Sequence, residues 1–407
     1  FTNNYLSKIP FRDEIRNQLK EIWNYERISA PFKEGDFTYF YKNDGLQPQS
    51  VLYRTDRSGK TEVFLDPNQF STNGTTSLSG VSFNKKGNLV AYRISEGGSD
   101  WNKIIILNAL TKEKIDDTLV DVKFSGVSWL GDEGFFYSSY DKPTGSELSA
   151  KTDTHKIYFH KLGTKQSQDQ LVKGGADFKR RYMGVGVSED QRYELLSTAE
   201  ATNGNELYIK DLNKKTDFVP VQTGYEFNTD FVDSKGDIVY AVTDKNAPNK
   251  RLVKFNINAP TVWTDVIPET ENVLEVSTGG GYIFAHYMKD AVTYVKQLDY
   301  DGKLIREIHL PGIGTAYGFA GKDEEKELYF TFTNYITPAT IYKFNADSGT
   351  SELYRKPAVK FNPENFVSEQ VFYTSKDGTK IPMMISYKKG TKIDGKNPTI
   401  LYSYGGV

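Results

Sequence analysis

The sequence predicts an all-β fold, and within that class a seven-bladed β-propeller. Three observations lead there. A unit of short strands recurs along most of the chain, its strands alternate apolar and polar positions, and Tyr (27), Phe (25) and Gly (34) are plentiful among many short polar turns. Aromatic residues suit a pleated, half-buried surface, and frequent turns suit short strands. The clearest copies of the unit are "SGVSFNKKGNLVAYRIS" from Ser79, "SGVSWLGDEGFFYSSY" from Ser125 and "MGVGVSEDQRYELLSTA" from Met183. Looser copies start at Asn228, Leu274 and Tyr317. With Gly80, Gly126, Gly184, Asp230, Glu275 and Gly318 as markers, the spacings are 46, 58, 46, 45 and 43 residues, and a seventh unit fits upstream from Gly35. A third strand and a turn follow most copies, as in "HKIYFHKLGTK" and "ATIYKFNADSG". Leu328, Phe330 and Phe332 fall on one face of a strand, and Tyr329, Thr331 and Thr333 on the other. A sheet packed between neighbouring blades requires that period of two, and a β-sandwich would not need a unit repeated seven times.

The elements divide into three stretches. Residues 1–34 contain "IPFRDEIRNQLKEIWNYER", with Phe11, Ile15, Leu19 and Trp23 on one helical face, Pro10 at its start and Asp13 and Glu14 in the first turn. That is an amphipathic helix with favourable helix-start chemistry. Residues 35–360 hold the seven units. Residues 361–407 predict a hairpin, Val371 to Thr374 and Lys380 to Tyr387 around a Lys376-Asp377-Gly378 turn, then a polar loop and a last apolar strand, Thr399 to Tyr402, running into Tyr404-Gly405-Gly406. A buried strand entering a Gly-rich turn usually opens an α/β domain. The propeller is therefore expected between two fragments of something else.

Composition excludes several function classes. Fifty-one basic and 53 acidic residues leave a formal net charge of −2, which offers no electrostatic footprint for nucleic acid and no polybasic membrane patch. No run of 18 apolar residues occurs, so no helical membrane span is expected. Cysteine is absent, which removes disulfides, thiolate catalysis and Cys-ligated zinc within the chain. The first residue is Phe1, so a processed or trimmed N-terminus is expected.

Candidate chemistry is sparse. His155 and His160 lie five apart, on opposite faces of a strand, and cannot share a metal; His286 and His309 stand alone, and all four read as ordinary structural histidines. No G-x-S-x-G elbow occurs. Gly279-Gly280-Gly281 leads into the strand-like "YIFAHYM" and reads as a blade turn, not as a phosphate cradle. Asp116-Asp117 and Glu324-Glu325 fall in polar turns and read as solvated surface. No cofactor and no metal is expected. "YSYGGV" has two readings: a strand followed by a glycine turn, or an oxyanion-hole element with a Tyr hydroxyl as donor.

At these residues a resemblance enters. "SKDGTKIPMMISYKKGTKIDGKNPTILYSYGGV" closely resembles the opening of the catalytic domain in prolyl endopeptidases of the prolyl oligopeptidase family of serine peptidases, and especially their flavobacterial members. "SEGGSDWNK", "DVKFSGVSWL" and "FTNYITPATIYKF" resemble that family's propeller blades. The resemblance implies an α/β-hydrolase domain built from both chain ends, 1–34 and 361–407, with the propeller between them. It implies cleavage of short proline-containing peptides on the carboxyl side of proline, with the Ser-Asp-His triad beyond Val407. Tyr404 matches the family's oxyanion-hole Tyr, whereas Val407 stands where the family usually has Phe. By the same resemblance the propeller filters substrates by size, its ring is unlatched, and opening of the ring or of the interdomain seam is the gating motion. The chain by itself is then expected to be inactive, its partners being the peptide and the missing catalytic portion. A monomer is expected, in the periplasm or, alternatively, the cytoplasm. Two rivals are a sister oligopeptidase specific for basic residues and a non-catalytic propeller scaffold. The first would carry Gly-Ser at Gly405-Gly406, and the second would end at its last blade.

Overall fold

The computed structural model describes residues 1–116, 118–143, 145, 152–214 and 217–403. Seven antiparallel sheets follow one another along the chain, each built from consecutive strands. They span 27–65, 76–123, 128–179, 182–222, 229–267, 273–308 and 315–355, and are blades 1 to 7 below. First strands of neighbouring blades, such as Thr229–Lys235 and Val273–Gly279, lie beside one another and so line the centre of the ring. Fourth strands form the rim; that of blade 7, Ser351–Arg355, is exposed throughout.

All seven expected units are present. Blade 1 begins earlier than the expected boundary at residue 35: Arg27–Ile28 pairs with Asn43 and Lys42, and Phe32–Glu34 pairs with Tyr39, Thr38 and Phe37. Its innermost strand is thus split, and Pro31, which has no N–H to give to a ladder, sits at the break.

Alternation along each strand fills the seams between blades. Val239 and Ala241 pack against Tyr193, Leu195 and Leu207 of blade 4, while Tyr240 between them packs against Leu274 and Ile283 of blade 6. Each seam from blades 1/2 to blades 6/7 encloses one such apolar cluster. The turns are equally tight: Gly87 (φ 71°) lies against the backbone of Gly35, and a Cβ there would collide with it.

Outside the ring lie two short helices, Thr2–Leu6 (α1) and Arg12–Trp23 (α2), and a C-terminal hairpin. Helix α2 is the expected amphipathic helix, with Asp13 and Glu14 in its first turn and Lys20 in its last. Its apolar face, with Ile15, Leu19 and Trp23, stands exposed. The hairpin pairs Phe366–Thr374 with Lys380–Lys388 and starts five residues before its expected first strand. Pro382 is tolerated because a two-stranded sheet leaves one edge of each strand unpaired. The expectation for the last apolar run is overturned. Thr399–Tyr402 is not a strand, and Ile400, Leu401 and Tyr402 are 94%, 82% and 79% exposed. A parallel strand exists only beside a partner that takes its backbone hydrogen bonds, and none of the described residues supplies one.

Candidate functional site

Tyr404, the one site residue expected from the sequence, lies outside the described residues, as do Gly405, Gly406 and Val407. Gly279-Gly280-Gly281 is a blade turn, closing Val273–Gly279 onto Tyr282–Lys289. The histidines divide. His155 is structural: its Nε2 lies 3.0 Å from the Lys123 carbonyl and its Nδ1 accepts from Met183 N–H at 2.9 Å, which joins blades 2, 3 and 4. Among the described residues no group of three or more His, Asp or Glu is arranged to hold a metal ion.

What the ring does assemble is a charged mouth. The turns that follow the innermost strands converge at one end of the central channel, around a cavity of about 240 Å³ lined by Glu34, Lys85, Trp129, Glu189 and Lys322. Lys85 Nζ lies 3.1 Å from Glu189 Oε1, and Lys235 pairs with Asp323. Lys85 belongs to blade 2 and Glu189 to blade 4; Lys235 belongs to blade 5 and Asp323 to blade 7. Each pair skips a blade, so these side chains reach across the mouth instead of around it, and a paired mouth narrows passage. Along the sequence these residues are part of the repeat's short polar turns and carry no further mark of their own. The available signal was that a charged residue recurs in the first turn of unit after unit.

The 7/1 seam differs from the other six. No apolar cluster of the described residues spans it. Lys322 Nζ bonds Glu34 Oε2 at 2.9 Å and the Lys33 carbonyl at 3.1 Å, and Arg355 meets Glu26 at 3.3 Å. A cavity of about 230 Å³ opens among Glu26, Ile28, Ile341 and Arg355. Burial raises the Glu34 carboxyl above its ordinary range, and the hydrogen bond and charge of Lys322 only partly offset this. A seam closed by such a pair opens more readily than one filled with Phe and Leu side chains. Lys322→Gln is expected to lower amide-exchange protection of Phe32–Glu34 and Thr315–Gly318 about tenfold, a change of about 1.4 kcal/mol, while leaving the 4/5 seam unaltered. Equal loss at both seams would show that the pair does not act locally.

His160, at the blade 2/3 seam, is fully buried. Its Nδ1 lies 2.8 Å from Asp169 Oδ1 and its Nε2 3.4 Å from Asp116 Oδ2, the three side chains being 0%, 2% and 6% exposed. Tyr137 donates its hydroxyl to Asp169 at 2.8 Å, and Gly163 N–H bonds Asp116 at 2.7 Å. Burial pushes the imidazole pKa down, but the hydrogen bonds and charges of Asp169 and then Asp116 outweigh this and raise it overall. Burial and then Asp169 also raise the Tyr137 phenol. Asp116, expected as solvated surface, is thus a structural partner; Asp117 lies outside the described residues.

Comparison with known proteins matches this architecture. Residues 1–357 match the family model of the prolyl oligopeptidase N-terminal β-propeller domain. The prolyl endopeptidase of Elizabethkingia meningoseptica is 69% identical over 409 aligned positions, covering 100% of this chain and 58% of that protein. A solved prolyl endopeptidase superposes with a TM-score of 0.82 at 32% identity, over 96% of this chain and 57% of its own. Prolyl oligopeptidase B of Galerina marginata, bound to a 35mer hydrolysis and macrocyclization substrate, gives 0.88 at 26% identity, over 97% and 60%. The chain therefore spans 57–60% of the length of these relatives. By family model, identity and fold together, it belongs to the prolyl oligopeptidase family, of which it carries the N-terminal β-propeller.

Proposed function

We propose that the chain is the substrate-gating portion of a serine-type prolyl endopeptidase that cleaves short peptides on the carboxyl side of proline. Identity of 69% along the whole chain to the Elizabethkingia meningoseptica enzyme carries this reading. The charged channel mouth and the apolar-poor 7/1 seam support a gating role, because both restrict passage by side chains that can separate without unfolding a blade. On this reading the triad lies in the part of the relatives beyond the match. The exposed faces of α2 and of the 366–388 hairpin then pack against that α/β-hydrolase portion. A monomeric, periplasmic protein is the reading that the flavobacterial resemblance favours.

The deciding experiment is hydrolysis of a Gly-Pro chromogenic peptide, with a serine-reactive phosphonate as control. The chain alone is expected to show neither turnover nor labelling, and the chain extended to the length of its relatives is expected to show both. Phosphonate-sensitive turnover by the chain alone would overturn the assignment. In the extended protein Tyr404 is assigned to the oxyanion hole, donating its phenolic O–H to the developing oxyanion. Tyr404→Phe is then expected to lower kcat roughly a hundredfold with little change in KM. An unchanged kcat would remove Tyr404 from the mechanism.

A further inference from the structure

At the other end of the ring, the seam between blades 6 and 7 opens into a pocket of about 290 Å³. Its floor is Ser277 and His286, its walls are Val273, Met288 and Tyr317, and Glu275 stands at its edge. The register explains the mixture. Residues 273, 275 and 277 of the innermost strand face blade 7, whereas Leu274 and Val276 pack toward blade 5. Deeper in the same seam Phe284, Phe319 and Phe330 close the core, so the pocket is where that core reaches solvent.

The hydrogen bonds determine what the floor offers. Ser277 Oγ lies 3.1 Å from the Gly318 carbonyl and 2.9 Å from His286 Nε2. A hydroxyl has one proton, and the carbonyl can only accept, so that proton goes to Gly318. His286 therefore carries its proton on Nε2 and gives it to Ser277, which leaves Nδ1 as a bare acceptor. Burial depresses the imidazole to about 4, so the ring stays neutral and keeps this acceptor through the physiological range. Met288 and Tyr317 are 47% and 54% exposed, two large apolar side chains flanking the acceptor.

Position points to the occupant. The chain enters blade 1 and leaves blade 7 at this end of the ring, and the C-terminal hairpin touches it, Gln370 donating its side-chain amide to the Asp290 carbonyl in the turn just past Met288. On the peptidase reading, a peptide held between the propeller and the catalytic portion faces this pocket.

We propose that the blade 6/7 pocket is a subsite for an extended peptide. An apolar or aromatic side chain lies between Met288 and Tyr317, a backbone N–H is given to His286 Nδ1, and the positively charged amino terminus faces Glu275. The proposal rests on the peptidase reading above and adds where the amino-terminal part of a longer substrate is gripped.

The test is fluorescence anisotropy of a six-residue peptide with a free amino terminus, an aromatic second residue and a C-terminal dye. It is titrated into the chain extended to the length of its relatives after phosphonate inactivation. Tyr317→Ala and Met288→Glu, both at solvent-exposed positions, are each expected to raise Kd at least fivefold. Acetylating the peptide amine is expected to raise it severalfold, and Val262→Ala, on the rim of blade 5, leaves it unchanged. Equal Kd across these proteins overturns the subsite, as does absence of binding. Binding by the 407-residue chain but not by the extended protein also overturns it, because the pocket is then covered by the rest of the molecule. Failure of the peptidase reading would show separately, as absence of phosphonate-sensitive hydrolysis before inactivation.

Discussion

Phe319→Ala is expected to destabilise the protein by about 3–5 kcal/mol. Phe319 is fully buried and stacks on Phe330 at 4.6 Å and Phe284 at 5.3 Å between ring centroids, with Phe344 edge-on at 5.4 Å. It joins blades 6 and 7, so its loss removes aromatic contacts from both sides of one seam and leaves a void that the rigid sheets collapse into poorly. Its backbone adds to this: at φ 59° it occupies the left-handed region, which a bulky residue enters only when packing compensates. Alanine keeps that strain and loses the compensation. Urea unfolding measures the effect, with Val262→Ala, at a residue 67% exposed, expected within about 0.5 kcal/mol of the parent. A loss below 1 kcal/mol for Phe319→Ala would contradict the view that single apolar clusters hold the blades together.

Asp169→Ala is expected to have an effect of similar size, about 3–5 kcal/mol, because it strips His160 and Tyr137 of their shared acceptor inside the blade 2/3 seam. A pH dependence goes with it. The folded His160 pKa is raised above its unfolded value, so its contribution to stability is complete below about pH 6.5 and fades as pH rises through the folded pKa. Asp169→Asn keeps the shape but removes the nearer charge, so the variant should lose less stability than the parent between pH 6 and 8. Unfolding free energies measured across that range decide it; parallel pH profiles for parent and variant would mean that His160 is not protonated in the native state.

Much of the ring was legible because its signals are local. The innermost strand and first turn of every blade after the first recur at spacings of 43 to 58 residues, and the face shared by Leu328, Phe330 and Phe332 is the face that enters the 6/7 core. The amphipathic helix and the C-terminal hairpin were legible for the same reason, through periodicity and turn chemistry over a few residues. The functional features were less so. Glu34 and Lys322 are 288 residues apart, and Lys85 and Glu189 are 104 apart. Nothing in either turn marks the other as its partner. His160 was rightly separated from His155 by strand alternation, but its two aspartates come from different connections of two blades, which no pattern along one strand reveals.

The sequence by itself thus determined the repeated sheet, its seven copies and the apolar face of each strand, since these depend on residues within one turn or one strand of each other. Only the tertiary structure decided which charges face one another across the channel, that among the described residues no apolar cluster spans the 7/1 seam as one does each of its six counterparts, and that Ser277 orients His286 toward an open pocket. The physical reason is closure. Bending seven sheets into a ring brings first and last blades together and turns polar loops inward, and the contacts made there are set by ring geometry more than by local propensity. The same dependence explains Thr399–Tyr402: an apolar run has strand chemistry in its sequence, yet it becomes a strand only where a neighbour receives its hydrogen bonds.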